Sequence, residues 1–237
     1  MNDASSAIIR MFHVHKRYGS HSALADINLD VEKNELLLIS GASGAGKSTL
    51  LKLLYMGEPV SEGQIIVGGM NLSRISIANT PFLRRKFGII FQDYKLIPGK
   101  TVFENISLVL EVSGNKPSYI HKKVKSVLRM VGMEEKTGSF PPSLSGGEQQ
   151  RVAVARAIAG GPDIILADEP TGSLDPGSAE IIINLLMTLN SQGVTVVIAT
   201  HDQNIINKTK GRVCYLENGR MPMPKPVEIE KKPAITI

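Results

Sequence analysis

The sequence predicts an α/β fold with a mixed or parallel core sheet, an N-terminal antiparallel β subdomain and an inserted helical subdomain. Three observations support this prediction. Short, uniformly apolar runs at 36–40, 164–168 and 194–200 are typical of parallel strands covered on both faces. Between residues 8 and 31, apolar residues alternate with polar ones, as in half-buried strands. After residue 94, helical periodicity with loops rich in glycine and proline takes over.

Composition indicates an ordered globular protein. The chain has 237 residues, 42% hydrophobic and 21% charged, so it can bury a substantial core as one large domain or a domain with a lobe. The single cysteine, Cys214, favours a reducing compartment, and its apolar neighbours predict a buried structural thiol. Because the start lacks a secretory pattern and no run of about 18 apolar residues occurs, we expect no membrane insertion.

The individual elements follow in chain order. After an extension at 1–7, alternating segments at 8–12, 25–31 and 63–69 predict strands of an antiparallel sheet. Core strands are predicted at 36–40, 87–91, 164–168 and 194–200, and a helix at 49–54. The helical subdomain is expected at about 94–155, the folded domain at 8–220, and a flexible tail at 221–237, where prolines cluster.

The net charge of +5 points only weakly to nucleic acid or to an anionic membrane surface. One basic cluster lies at 84–86 and another at 122–125. In the second cluster the lysines share a segment with apolar residues at helical spacing: Ile120, Val124, Val127, Leu128 and Val131. Such lysines form the solvated face of an amphipathic helix, so we expect no nucleic-acid partner.

Residues 41–48 form the most informative motif. They read Gly41-Ala42-Ser43-Gly44-Ala45-Gly46-Lys47-Ser48, followed by Thr49, between an apolar strand and a helix. The glycines let consecutive backbone N–H groups turn inward around phosphate oxygens, Lys47 reaches the terminal phosphates, and Ser48 offers a hydroxyl to Mg²⁺. The helix that follows adds its positive dipole end. This order of elements predicts a P-loop fold that binds a nucleoside triphosphate.

Two carboxylates end the predicted strand at 164–168. Asp168 is placed to orient Mg²⁺ opposite Ser48, and Glu169 can polarise the water that attacks the γ-phosphate. The pair therefore predicts hydrolysis as well as binding.

A third motif, Leu144-Ser145-Gly146-Gly147-Glu148-Gln149-Gln150-Arg151, precedes a helical run. Serine and glycines at a helix N-terminus can approach phosphate closely. With the two motifs above, this segment resembles the identifying signature of the ATP-binding-cassette superfamily. The resemblance implies an ABC-type P-loop ATPase that uses ATP and Mg²⁺, with Lys47, Glu169 and His201 as the catalytic residues.

The resemblance also implies roles for other residues. Tyr18 matches the aromatic residue that stacks on adenine, Gln92 the glutamine that senses Mg²⁺, and His201 the histidine that bonds the γ-phosphate. Ser145, Gly146, Gly147, Gln149 and Asp175 match positions that contact the ATP or the loop of an opposing subunit. Because the chain has one copy of each motif, the resemblance implies that its ATP site is completed by a second cassette, either in a homodimer or from a related subunit. His13, His15, His21 and His121 have no such context and are expected to be ordinary residues.

The segments at 81–93, 100–105 and 166–175 closely resemble the FtsE family of bacterial cell-division ATPases. That resemblance implies an integral membrane partner like FtsX, whose coupling element would bind at about residues 94–110. It also implies a peripheral location at the cytoplasmic face of the inner membrane near the division site. Ala42 stands where proline is frequent and Ser173 where asparagine is common.

Two alternatives remain open. The ATPases of lipoprotein release and macrolide export share much of the same pattern and differ in their membrane partner. A soluble cassette that acts on ribosomes or DNA is indicated only by the net charge, and such proteins usually carry two cassettes or a long coiled-coil insertion.

Overall fold

In the computed structural model, which describes residues 7–222, two β-sheets form the framework of the molecule. The strands are β1 Ala7–Tyr18, β2 His21–Glu32, β3 Leu36–Ser40, β4 Glu62–Val67, β5 Met70–Asn71, β6 Phe87–Ile90, β7 Ile164–Asp168, β8 Thr195–Thr200 and β9 Arg212–Tyr215. The helices are α1 Lys47–Leu54, α2 Thr80–Arg84, α3 Val102–Val112, α4 Pro117–Met130, α5 Gly146–Ala159, α6 Pro176–Ser191 and α7 Gln203–Thr209. Except for Ala7, Met221 and Pro222, the predicted extension and the predicted flexible tail lie outside the described residues.

The first sheet is antiparallel, with strand order β2-β1-β4-β5, and the second is parallel, with order β6-β7-β8-β3-β9. Alternate residues of β3 enter different hydrophobic clusters. Leu38 packs in the cluster that contains α3 to α7, whereas Leu37 and Ile39 pack in the cluster that contains α1 and the antiparallel sheet. The predicted fold class is thus confirmed, and the uniformly apolar core strands are buried on both faces.

β1 and β2 are longer than predicted, at 12 residues each. Their register shifts between the Met11 and Val14 pairs, and His13 and Asp26 have positive φ angles of 48° and 58°. Such bulges change which face the next residue points to, so the apolar alternation is interrupted although the pairing continues.

β9 was not predicted as a strand. It extends the parallel sheet beside β3, with Cys214 opposite Ile39. The Cys214 side chain is only partly buried, in contrast to the prediction, because β9 lies at the edge of the sheet. Burial still raises the pKa of its thiol, so the thiol is protonated at neutral pH.

Three helices, α3, α4 and α5, lie between β6 and β7 in the chain, and α5 continues to Ala159. The amphipathic helix predicted around the second basic cluster is confirmed as α4. Val124 and Leu128 are buried there, whereas Lys122 and Lys125 are exposed. Within residues 7–222, no helix combines the length and the apolar character needed to cross a bilayer.

The basic cluster at 84–86 has intramolecular partners. Arg84 donates to the carbonyl oxygen of Met56 at 2.9 Å, just after α1, and Arg85 donates to that of Val112 at 3.1 Å, the last residue of α3. Lys86 lies 3.0 Å from a carboxylate oxygen of Asp163. Two of these side chains therefore satisfy carbonyl groups at helix ends, where positive charge is favourable.

The start of α3 carries a helix cap whose contribution to stability can be measured. Thr101 and Glu104 form a reciprocal capping box, in which the Thr101 N–H donates to Glu104 Oε2 at 2.7 Å and the Glu104 N–H donates to Thr101 Oγ1 at 3.2 Å. We expect Thr101→Ala to lower the free energy of unfolding by about 1 kcal/mol in urea denaturation. Ser118→Ala, at an exposed position of α4, is the control and should change that free energy by less than about 0.5 kcal/mol. Equal effects would contradict the capping role.

Candidate nucleotide-binding site

The loop at 41–46 joins β3 to α1 at the carboxyl end of the parallel sheet. Gly44 and Gly46 have left-handed φ angles of 79° and 107°. A Cβ atom on Gly46 would lie 2.7 Å from the carbonyl oxygen of Ala23, and one on Gly41 would lie 2.2 Å from that of Leu216. Only glycine fits at these two positions, so the backbone itself lines the loop.

Lys47, the first residue of α1, lies inside this loop, and its side chain is 6% exposed. Its ammonium group donates to the carbonyl oxygens of Gly41 at 2.8 Å and Ala42 at 3.2 Å. It also lies 3.2 Å from Glu169 Oε1. The loop therefore holds a nearly buried positive charge beside a helix N-terminus, an arrangement that favours phosphate.

Ser48 and Asp168 meet across the gap between α1 and β7. The Ser48 hydroxyl donates to Asp168 Oδ1 at 3.0 Å. Burial raises the pKa of the Asp168 carboxyl, the Ser48 hydrogen bond opposes this shift, and the neighbouring Glu169 adds to it. A hydroxyl and a carboxylate are oxygen donors of the kind Mg²⁺ prefers, so these two side chains fit that ion.

Glu169 is the centre of the site. It has a positive φ of 44°, and its N–H donates to the carbonyl oxygen of Ala199 at 2.8 Å. Its Oε1 atom lies 2.8 Å from His201 Nδ1 as well as 3.2 Å from Lys47 Nζ. A non-glycine residue in this conformation costs about 1–3 kcal/mol. The structure thus brings together the three residues that were predicted to be catalytic, and a strained backbone turns the carboxylate toward them.

Gln92 follows β6 and is exposed. A Cβ atom on Gly172 would lie 3.4 Å from Gln92 Nε2, so the loops after β6 and β7 are adjacent. Tyr18 ends β1 and is 42% exposed, with the Lys16 ammonium 4.6 Å from its ring centroid. An exposed ring of this kind leaves a face free for stacking.

The signature residues lie at the start of α5. Ser145 is its N-cap and accepts a hydrogen bond from the Glu148 N–H at 3.2 Å. A Cβ atom on Gly147 would approach Ser178 Oγ to 2.3 Å, and Asp175 caps α6 by accepting from the Ser178 N–H at 3.0 Å. The Gln149 side chain donates to the carbonyl oxygen of Leu144 at 3.1 Å.

Within the part of the chain that the structure describes, no hydrogen bond or ion pair joins Ser145 to Lys47, Asp168, Glu169 or His201. Beside the phosphate loop, Ser48 pairs with Asp168, and Lys47 and His201 both pair with Glu169. The signature residues lie at the start of α5 instead, and Asp175 lies at the start of α6.

Two histidines without a predicted role and one unpredicted arginine also have defined contacts. His13 pairs with Asp26 at 2.7 Å, and the ring of His121 lies 4.7 Å from that of Phe103, so both have structural neighbours away from the loop. Sequence reasoning missed Arg156, which binds two carbonyl oxygens after Gln92. Its signal is an arginine within the otherwise apolar helical run at 152–159.

Comparison with known proteins relates this geometry to characterised families. The model of the ABC transporter family matches residues 24–172. The chain is 46% identical over 216 residues to the cell division ATP-binding protein FtsE of Streptococcus pneumoniae, a match that covers 91% of this chain and 94% of that protein. It is 45% identical over 213 residues to the FtsE protein of Bacillus subtilis, covering 90% and 93% of the two chains.

Among solved structures, the dimeric structure of MJ0796, described as a bacterial ABC transporter cassette, superimposes with a TM-score of 0.84 at 37% identity. That match covers 90% of this chain and 96% of the cassette. A second structure of the same cassette, a dimer in a post-hydrolysis state with ADP and phosphate, gives a TM-score of 0.82 at 36% identity and covers 90% and 97% of the two chains.

The phosphate loop yields a stability test. We expect Gly46→Ala to lower the free energy of unfolding by more than about 2 kcal/mol, because it adds backbone strain and a clash with the carbonyl group of Ala23. Gly44→Ala adds strain in open space and should cost less. Gly99→Ala, where φ is not positive and the space is open, should be neutral within about 0.5 kcal/mol in urea denaturation. Equal losses of unfolding free energy in Gly46→Ala and Gly99→Ala would contradict the close packing of Gly46 against Ala23.

Proposed function

We propose the function of this chain from its family: it belongs to the ABC transporter family and, within that family, to the FtsE cell-division ATP-binding proteins. We infer that it is the ATP-binding and ATP-hydrolysing subunit of a complex with an integral membrane partner of the FtsX type. In such a complex, ATP-driven closure of a dimer is coupled to cell division through activation of cell-wall hydrolysis across the membrane. The single observation that carries the hydrolytic part is the contact of Glu169 with both Lys47 and His201 beside the phosphate loop.

Binding of ATP begins at the loop. Its backbone N–H groups and the Lys47 ammonium take the β- and γ-phosphates, and Tyr18 stacks on adenine. Ser48, Asp168 and Gln92 would hold Mg²⁺, which screens phosphate charge and orients the γ-phosphate when it is bound. Burial raises the pKa of the Asp168 carboxyl because it disfavours the charged form, so a cation bound beside Asp168 would stabilise the carboxylate.

Hydrolysis then depends on Glu169. Its carboxylate accepts a hydrogen bond from the attacking water and takes up the proton as the oxygen adds to the γ-phosphorus and the bond to the bridging oxygen of ADP breaks. Lys47 offsets the negative charge that develops on the phosphate oxygens as this bond breaks. His201 keeps Glu169 in place and donates to the γ-phosphate.

The second group of residues implies a second subunit. Among the described residues, Ser145, Gly146, Gly147, Gln149 and Asp175 share no hydrogen bond or ion pair with the phosphate-loop cluster of their own chain, so we propose that they face the ATP held by another copy. The dimer of the similar MJ0796 cassette supports this arrangement. In a head-to-tail pair, each nucleotide would be bound by the loop of one copy and the signature of the other.

The membrane partner is proposed to dock on residues 94–110 of the helical subdomain, taken as about 94–155 within an ATPase domain at 8–220. The exposed apolar residue Ile97, 39% accessible, lies in this segment. The chain would then be peripheral at the cytoplasmic face of the inner membrane, near the division site. Export of a lipoprotein or a macrolide is the alternative, since the similar MJ0796 cassette is described as part of a transporter.

Glu169→Gln tests the hydrolytic role. It keeps the shape of the side chain but removes the base, so we expect turnover to fall by at least about a hundredfold while ATP affinity persists. ATP should then hold the variant as a dimer, which sedimentation velocity would detect. Glu135→Gln, at an exposed position on the helical subdomain, is the matched control and should turn over normally. EDTA should stop turnover of the unmodified protein. Normal turnover in Glu169→Gln would contradict the assignment.

Recovery of the membrane partner tests the cellular role. A tagged chain, cross-linked in its own cells and extracted from membranes, should retain an integral membrane protein of the FtsX type, identified by mass spectrometry. The untagged strain is the control. If the main co-purifying protein were instead an export or lipoprotein-release permease, the alternative function would hold.

A further inference from the structure

The loop after β6 contains a strained turn. Tyr94 and Lys95, which follow Gln92 and Asp93, have left-handed φ angles of 58° and 49°. Non-glycine residues seldom adopt this conformation, and two in succession are rarer still. The surroundings must therefore hold the turn in place.

Arg156, in the second half of α5, provides that restraint. Its guanidinium donates to the carbonyl oxygen of Tyr94 at 2.7 Å and to that of Lys95 at 2.5 Å. Over residues 7–222, no carboxylate pairs with this partly buried arginine. Its two strong, charge-assisted hydrogen bonds serve the strained backbone alone.

The side chain of Tyr94 reaches the opposite end of the same helix. Its hydroxyl lies 3.1 Å from Ser173 Oγ, and a Cβ atom on Gly146 would lie 2.9 Å from that hydroxyl. The hydroxyl thus lies between the first turn of α5 and the loop after β7. A larger residue at 146 would displace it.

Gln150 joins the same three segments from inside. It is fully buried, and its amide nitrogen donates to the carbonyl oxygen of Pro170 at 2.6 Å and approaches that of Phe91 at 3.5 Å. The loops after β6 and β7 therefore meet on α5 at several points. Tyr94 makes its contact at the first turn of α5, beside Gly146.

We infer that Tyr94 is a positioning residue for ATP hydrolysis. Held by Arg156 through its backbone, it sets the first turn of α5, with Ser145 and Gly146, relative to the loop of Gln92 and to Ser173. A shift of the Gln92 loop is then passed to the signature residues that serve the other subunit. The consequence for hydrolysis rests on the proposed function, whereas the placement of α5 is a property of the single chain.

Tyr94→Phe removes the hydroxyl and keeps the ring. In a Glu169→Gln background, we expect the dissociation constant of the ATP-bound dimer to rise about three- to tenfold, because the hydrogen bond between Tyr94 and Ser173 is lost. ATP affinity of the monomer, measured by calorimetry, should not change, since the Tyr94 hydroxyl bonds Ser173 and has no hydrogen bond to the described residues of the loop at 41–48. Tyr119→Phe, on an exposed face of α4, is the matched control and should leave both quantities unchanged. An unchanged dimer constant in Tyr94→Phe would overturn the inference.

Hydrogen–deuterium exchange of the nucleotide-free monomer separates this inference from the proposed function. Amides at 145–149 and 171–175 should exchange faster in Tyr94→Phe than in Tyr119→Phe, at an unchanged melting temperature. Equal exchange in the two variants would overturn the inference even if the dimer forms. If the exchange changes but Glu169→Gln never dimerises with ATP, the proposed function fails and the placement of α5 by Tyr94 stands.

A double-mutant cycle with Ser173→Ala tests the hydroxyl pair itself. The double variant should weaken the dimer no more than the more severe single variant. Strictly additive effects would show that the Tyr94 hydroxyl acts on something other than Ser173.

Discussion

The site depends on the order of three parallel strands. β7, β8 and β3 are neighbours in the sheet, and parallel strands all end at the same edge. The loop after β3, the carboxylates after β7 and His201 after β8 therefore meet, although they lie far apart in the chain. Burial of these strands on both faces makes that edge rigid, so short side chains reach one another at hydrogen-bond distances.

Electrostatic balance is the second requirement. Asp168 and Glu169 are adjacent carboxylates, and burial raises the pKa of Asp168. Lys47 and the Ser48 hydroxyl offset this cost from the other side of the gap. Each of these buried or partly buried charged groups would cost folding free energy if it had no partner. Such paired charges are typical of a site that binds a charged ligand.

The start of α5 has a different relation to the loop. Ser145 and its glycines make no hydrogen bond or ion pair with the phosphate-loop cluster in the described part of this chain, but α5 contacts the loops after β6 and β7 through Arg156 and Gln150. Hydrogen bonds therefore link the helix to both of these loops. In the proposed dimer, these hydrogen bonds would couple the nucleotide site of one subunit to the surface that faces the other subunit.

The sequence by itself determined the fold class, the core strands, the amphipathic character of α4 and the family, because periodicity records burial and short motifs record local backbone demands. It also predicted the residues of the candidate site, and their catalytic roles stay predictions. Only the tertiary structure decided that Glu169 contacts both Lys47 and His201, since strand order sets that contact. The bulges of β1 and β2, the pairing of β9 and the Tyr94 turn were likewise invisible in the sequence. Each depends on partners distant in the chain, and local patterns carry no record of them.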